Sequence, residues 1–274
     1  MGSVSEVSYL TSLIAGGVAG IAVDTTLFPL DTTRTRLQSP QGFLKAGGFR
    51  GLYNGIGPAF LGSAPTAALF FCSYETTKNK LNSLFGHESQ TLVHMIAAIN
   101  AEVVSCLVKV PTEVLKQRQQ VGLYSRLFEA CSIIYRTEGL TGFYRGLGST
   151  IVREIPFSVI QFPLWEIFKQ KVSSSKGEAI TVKEKALCGA IAGGIAAGLT
   201  TPIDVMKTRI MLTQRSTYQQ KLHNVLMDIY MTKGIKGLFA GIIPRVLWIT
   251  LGGGVFFGSY ELFVDLCNTA FKKT

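Results

Sequence analysis

Three acid–base sets, each introduced by a proline, are the residues here with the type and spacing to do chemistry. Pro29 is followed by Asp31, Arg34 and Arg36; Pro111 by Glu113, Lys116 and Arg118; Pro202 by Asp204, Lys207 and Arg209. Acid and base stand three residues apart, so on a helix they share one face. The chemistry open to them is ionic pairing. One helix could pair its own two charges. Three copies meeting on an axis could instead pair each acid with a neighbour's base and close a ring: Asp31 with Lys116, Glu113 with Lys207, Asp204 with Arg34. A ring that forms and breaks is a gate. One such pair at 4 Å is worth about 4 kcal/mol at an effective dielectric of 20, and desolvation lowers the net value. Gln38 and Gln120 stand nine residues after their prolines and could brace two bridges; Met211 holds the third position.

A second charge set lies further along each copy. Glu75 and Lys78 follow Tyr74, Glu166 and Lys169 follow Trp165, and Glu261 follows Tyr260 with Val264 where a base would stand. At an opposite mouth, Glu75 would pair with Lys169 and Glu261 with Lys78, leaving Glu166 facing Val264. That gate is expected to be the weaker one. Two gates around one cavity define alternating access.

Enzyme chemistry is not indicated. His87, His94 and His223 belong to no motif, and no nucleophile elbow, HExxH or P-loop occurs. Cys72, Cys106, Cys131, Cys188 and Cys267 are scattered without a CxxC. Neither a metal site nor a disulfide framework is expected, and no cofactor.

The elements that must carry these charges are apolar. The 274 residues are 47% hydrophobic and only 16% charged, with mean hydropathy +0.31 and net charge +10. A basic balance on a charge-poor chain argues for a membrane protein and against nucleic acid. Residues 51–74 hold no Asp, Glu, Lys or Arg, and residues 10–30 hold only Asp24. Residues 186–203 and 246–260 are also nearly uninterrupted apolar runs. The stretches 92–110 and 148–168 are apolar but carry Glu102, Lys109, Arg153, Glu154 and Glu166. Six spans follow, since about 20 apolar residues cross the hydrocarbon as a helix. Charges inside two of them need a wet interior. Residues 1–9 contain no Lys or Arg, so no leader is expected and any address is internal.

The prolines recur 82 and 91 residues apart, and each copy ends in an aromatic-x-Gly marker: Tyr53 to Gly55, Tyr144 to Gly146, Phe239 to Gly241. Each copy therefore reads as a helix, a kink at Pro29, Pro111 or Pro202, a basic loop with a short surface helix, and a second helix. The three basic loops fall on one side and hold 16 Lys and Arg, against 9 on the other. The expected fold is an all-α membrane protein with six transmembrane helices. They form three pseudo-symmetric repeats, 1–84, 85–176 and 177–274, in one integral domain around a central cavity.

This constellation resembles the mitochondrial carrier family over essentially the whole chain. Gly47 and Lys233 depart from it at positions usually acidic, and Asn54 and Ala240 where a base is usual. The resemblance implies an inner-membrane transporter, multi-pass, with termini on the intermembrane side and short helices on the matrix side. Cardiolipin at the matrix surface is also implied, and a monomer is expected. A narrower resemblance rests on QSPQGF (38–43), KAGGF (45–49), REIPFS (153–158) and QFPLWE (161–166), with 241–244 and 251–253 in support. It implies import of S-adenosylmethionine, largely against S-adenosylhomocysteine. A related carrier for another amino-acid-like or nucleotide-like solute is the alternative, although phosphates would call for more bases than this cavity offers.

In the family, substrate sits midway down the cavity on the even helices. Counting back from the second charge set gives Gly62 with Ser63, Arg153 with Glu154, and Ile249 with Trp248. An arginine fork suits an α-carboxylate and a glutamate an α-ammonium. Gly62 and Ser63 leave room for a bulky ligand. Trp248 could stack on a base or face a cation. Asp24 has uncharged equivalents, Cys106 and Ala197, and Glu102 has Gly20 and Gly193. Such asymmetric acids favour a cationic sulfonium.

Overall fold

Five helices of 30 or 31 residues dominate the chain: α1 (Tyr9–Gln38), α2 (Ile56–Phe85), α3 (Gln90–Gln120), α6 (Leu147–Lys176) and α10 (Ile242–Phe271). At 1.5 Å per residue each is about 45 Å long, ample for a hydrocarbon layer of about 30 Å. Between them lie the shorter α4 (Leu127–Glu138), α5 (Leu140–Phe143), α7 (Val182–Leu199), α8 (Thr201–Leu212) and α9 (Leu222–Leu238). The computed structural model describes residues 9–85, 90–176, 180–213 and 222–271; near some helix ends, Glu261 included, only the backbone is described. Among the described residues every regular element is helical.

The long helices show large apolar side chains to their surroundings. Phe60, Leu61 and Phe71 are exposed on α2, Ile99, Val103 and Leu107 on α3, and Ile155, Val159 and Phe162 on α6. Water would penalise such faces, whereas lipid accepts them. Among the described residues, Ile56–Ser83 alone is long and apolar enough to cross by itself. The number rises to three if Val182–Leu199 with Thr201–Leu212, and Leu222–Leu238 with Ile242–Val255, each form one broken span. Glu102, Lys109, Arg153 and Glu154 lower the mean apolarity of α3 and α6.

The equivalent kinks expected at the three prolines are realised unequally. Pro29 and Pro111 ride inside continuous helices. Pro111 cannot bond the Leu107 carbonyl, and the Tyr144 hydroxyl donates to it at 3.2 Å. Pro202 instead sits in the first turn of α8, after α7 has stopped at Thr200. A proline is tolerated there because it forfeits no helical donor. The short surface helix expected in each loop is also unequal. Repeat 2 has α4 and α5, and repeat 3 has α9 with a break at Gly234 (φ 62°). Residues 39–55 form successive turns without a helix. Gly55 follows Pro29 by only 26 residues, against 35 from Pro111 to Gly146, so a helix has little room.

The residues group into two compact units. One comprises 35–155 and 201–240. Here α2 runs along α3, and α3 touches α4, α5 and α8. Cys106, Val110, Val114, Leu115, Ala130, Ile134 and Met211 form its main core. Val205, Met206, Val225 and Ile229 join α8 to α9. The other unit comprises 1–34, 156–200 and 241–274, where α7 packs along α10. Small residues bring those two helices close: a Cβ on Gly193 would lie 2.9 Å from Ile249, and one on Gly194 2.8 Å from Thr250. Thr181 and Glu184 form a capping box that starts α7, and Lys176 pairs with Glu184.

Candidate functional site

Helix ends in the first unit gather the motif charges of repeats 2 and 3. The Lys207 ammonium donates to both carboxylate oxygens of Glu113 at 2.7 Å, and the Gln117 amide adds a third bond at 3.1 Å. The acid of repeat 2 thus meets the base of repeat 3. Gln38 reaches repeat 3 as well: its amide nitrogen donates to Asp204 at 2.8 Å, and its oxygen accepts from the Thr208 hydroxyl at 2.6 Å. Asp31 and Arg34 face one another along α1 at 3.8 Å. Lys116 and Gln120 lie on the last turns of α3, where the Lys116 carbonyl would stand 2.7 Å from a Cβ on Gly55.

A ring of arginines interlocks the same level. Its members are the second bases of the motifs, to which the sequence reading assigned no role. The Arg36 Nε donates to the carbonyl of Gln120 at 2.7 Å, Arg118 to that of Met211 at 3.1 Å, and Arg209 to that of Gln38 at 3.4 Å. Each arginine therefore binds position nine of the next repeat, and the circuit closes. All three are buried. Their regular place in the motif was the signal. The receiving groups are backbone carbonyls, which residue types do not reveal.

At greater depth in the apolar stretches lies a cluster confined to repeat 2. Arg153 pairs with its neighbour Glu154 and stands 4.0 Å from Asp204. Lys109 bridges Glu102 at 2.5 Å and Glu154 at 3.1 Å. The expected Arg153–Glu154 pair and Glu102 are therefore brought together by a lysine the sequence reading had only counted as a charge.

Other expected site residues fall elsewhere. Gly62 offers no room to a ligand: a Cβ there would lie 2.6 Å from Thr112, so this glycine serves the close approach of α2 to α3. The Ser63 hydroxyl donates to the Phe60 carbonyl. Ile249 packs on Gly193 between α10 and α7. Asp24 and Trp248 are half-buried on α1 and α10. In the second charge set each lysine pairs with the acid three residues before it on its own helix. Lys78 meets Glu75 and Lys169 meets Glu166, both at 2.7 Å. Lys169 also lies 3.9 Å from the Trp165 ring centre, and Lys78 5.5 Å from that of Tyr74. The Glu261 side chain lies outside the described residues.

The sequence profile of the mitochondrial carrier protein family matches residues 5–84, 87–176 and 178–270. The chain belongs to the mitochondrial carrier family. Among curated members of that family, the chain is 55% identical over 265 residues to the S-adenosylmethionine mitochondrial carrier protein homolog of Drosophila melanogaster, covering 94% of this chain and 93% of that protein. It is 51% identical over 253 residues to the mitochondrial S-adenosylmethionine carrier protein of Xenopus laevis, covering 91% and 94%. The protein of that name in Mus musculus is 49% identical over 255 residues, covering 92% and 93%. Mitochondrial carriers are transporters.

Proposed function

We propose that this chain imports S-adenosylmethionine into the mitochondrial matrix, in exchange for S-adenosylhomocysteine, by alternating access. Identity of 49–55% over more than nine-tenths of the chain to proteins named for S-adenosylmethionine carries the reading. Six spans, in repeats 1–84, 85–176 and 177–274, enclose the cavity as one integral domain in the inner membrane. The termini face the intermembrane space and the short helices the matrix. The carrier acts as a monomer, with cardiolipin at its matrix surface.

The matrix gate comprises Asp31, Arg34, Glu113, Lys116, Asp204 and Lys207, braced by Gln38 and Gln120. The Glu113–Lys207 contact and the bond from Gln38 to Asp204 support it. The pairs Asp31–Lys116 and Asp204–Arg34 complete it. Glu75, Lys78, Glu166, Lys169 and Glu261 form the cytoplasmic gate. Its same-helix pairs, Glu75–Lys78 and Glu166–Lys169, fit a mouth whose bases have not crossed to neighbouring helices. Arg153 takes the cargo carboxylate and Glu154 its ammonium, while Asp24 and Glu102 favour the sulfonium; Trp248 stacks on the adenine.

The test is exchange in liposomes containing the purified protein. Internal S-adenosylhomocysteine should drive uptake of labelled S-adenosylmethionine. Both compounds should compete for uptake, and adenine nucleotides should not. A protein that exchanges nucleotides and refuses S-adenosyl compounds would overturn the reading.

A further inference from the structure

Lys109 is the charge in the deep cluster that the cargo reading leaves unused. It stands two residues before Pro111, where repeats 1 and 3 have Leu27 and Thr200, so no threefold requirement places a base there. Its side chain is 31% exposed and that of Glu102 30%, so neither is sealed in the packing. Glu154 already has Arg153 as a partner, whereas Glu102 has Lys109 as its ion-pair partner in the cluster. A lysine is a flexible stem ending in a compact cation. It can leave one carboxylate for another at little steric cost, which a guanidinium fork cannot.

We propose that the Lys109 ammonium is a resident competitor of the cargo's positive charge. It holds Glu102 and Glu154 while cargo is absent and yields them to a cationic ligand. The idea rests on the cargo reading above. Contacts then lead from the site to the gate. Lys109 touches Glu154, Glu154 pairs with Arg153, Arg153 faces Asp204, and Asp204 accepts from Gln38. Displacing Lys109 frees Glu154 to turn to the ligand. Arg153 is then released toward the ligand's carboxylate or toward Asp204, a gate acid. Lys109 is thus a specificity-determining residue: it taxes every cationic ligand and leaves a ligand with neutral sulfur less affected. A carrier gains from such a tax, because cargo held too tightly is not released on the far side.

The experiment compares S-adenosylmethionine with S-adenosylhomocysteine in liposomes, measuring KM and kcat for each with Lys109→Gln and Lys109→Arg. Lys109→Gln should lower KM for the sulfonium compound at least about fivefold relative to the neutral homologue. Its kcat for the sulfonium compound should fall at the same time. Lys109→Arg, which keeps the charge but steps aside less readily, should leave the KM ratio at or above the wild-type value. Equal changes for both compounds, or a ratio lowered by Arg as much as by Gln, would overturn the proposal. If Lys109→Gln does not fold, Lys109→Met, which also removes the charge and leaves both carboxylates in place, should shift the ratio in the same direction; an unchanged ratio there counts equally against the proposal. The two readings fail separately. The cargo reading falls if the unmodified protein refuses both S-adenosyl compounds, whereas the Lys109 proposal falls on variant ratios measured beside an active wild type.

Discussion

The loops of repeats 1 and 2 settle the same buried arginine in opposite ways. In repeat 2, Arg118 forms a two-pronged pair with Glu138 at 2.6 and 3.1 Å, and Arg145 adds a bond to the same carboxylate at 2.8 Å. Repeat 1 has Gly47 and Asn54 where those partners would be. Arg36 donates instead to the carbonyls of Gly48, Arg50 and Gly51 at 2.7, 2.6 and 3.1 Å. Both arginines keep the Nε bond to the next repeat. The interlock between repeats is therefore the constant requirement, and the counter-group is negotiable provided the buried cation is satisfied. Acid and second base are lost together in repeats 1 and 3. In repeat 2 the one carboxylate serves both bases, so acid and second base work as a set.

The sharpest way to break this comparison is to remove the shared carboxylate. Glu138→Ala leaves Arg118 and Arg145 facing each other in a buried site and should cost about 3–5 kcal/mol. Heating the detergent-solubilised protein and following exposure of the buried Cys106 thiol would read it as a much lower unfolding temperature. A loss below about 1 kcal/mol would mean that carbonyls can replace the acid in repeat 2 too. The carbonyl cage of repeat 1 has its own weak point. Gly47 has φ +108°, and a Cβ there would lie 3.1 Å from the Arg36 guanidinium carbon. Gly47→Ala should cost about 1–3 kcal/mol, from backbone strain and crowding of the cation. Unchanged melting would show that the turns at 39–55 yield freely.

Symmetry and its breaches also separate structure from cargo. Asp24 stands where repeats 2 and 3 have Cys106 and Ala197, both fully buried. If it serves the sulfonium, Asp24→Asn should cut S-adenosylmethionine uptake about tenfold, the equivalent of 1.4 kcal/mol, and S-adenosylhomocysteine uptake less. Equal losses would make Asp24 a packing residue like its counterparts.

The threefold proline spacing was enough to read helices, loops and the acid–base faces from residue types alone, because charge and period are properties of side chains. The contact from Lys207 to Glu113 lay within reach of that reasoning. The arginine ring did not, since its acceptors are main-chain carbonyls common to every residue. Gly62 misled for a related reason. A missing side chain reads equally as space for a ligand or as a seat for Thr112, and only the packing of α2 on α3 decides. The break at Thr200 was not legible from Pro202 alone, since Pro29 and Pro111 stand in unbroken helices. Lys109 was visible as a charge in an apolar run, but its two carboxylate partners come from different helices.

Repeat 3 offers the finest test of the comparison, because its backbone already matches repeat 2. Gly234 has φ 62° and ψ −159°, against 68° and −164° for Gly139. A Cβ on Gly237 would lie 2.5 Å from the Lys233 Cβ, and one on Gly142 would lie 2.6 Å from the Glu138 Cβ. Lys233 therefore leaves the chain as Glu138 does, yet it carries the wrong sign, and the charge of Arg209 acts against it. The Lys233 side chain is exposed, whereas Glu138 is buried. The Arg209 interlock is also the longest of the three at 3.4 Å. Lys233→Glu replaces a repulsion with a pairing on an unchanged backbone. Ala240 supplies no second base, so the new carboxylate serves one arginine and keeps a face to water. The gain should be modest, about 0.5–1 kcal/mol, and it should shrink as salt is added. A rise in unfolding temperature that high salt abolishes would mark the repeat 2 arrangement as transferable. A fall would mean that Arg209 draws its compensation from elsewhere and that the backbone match carries no electrostatic meaning.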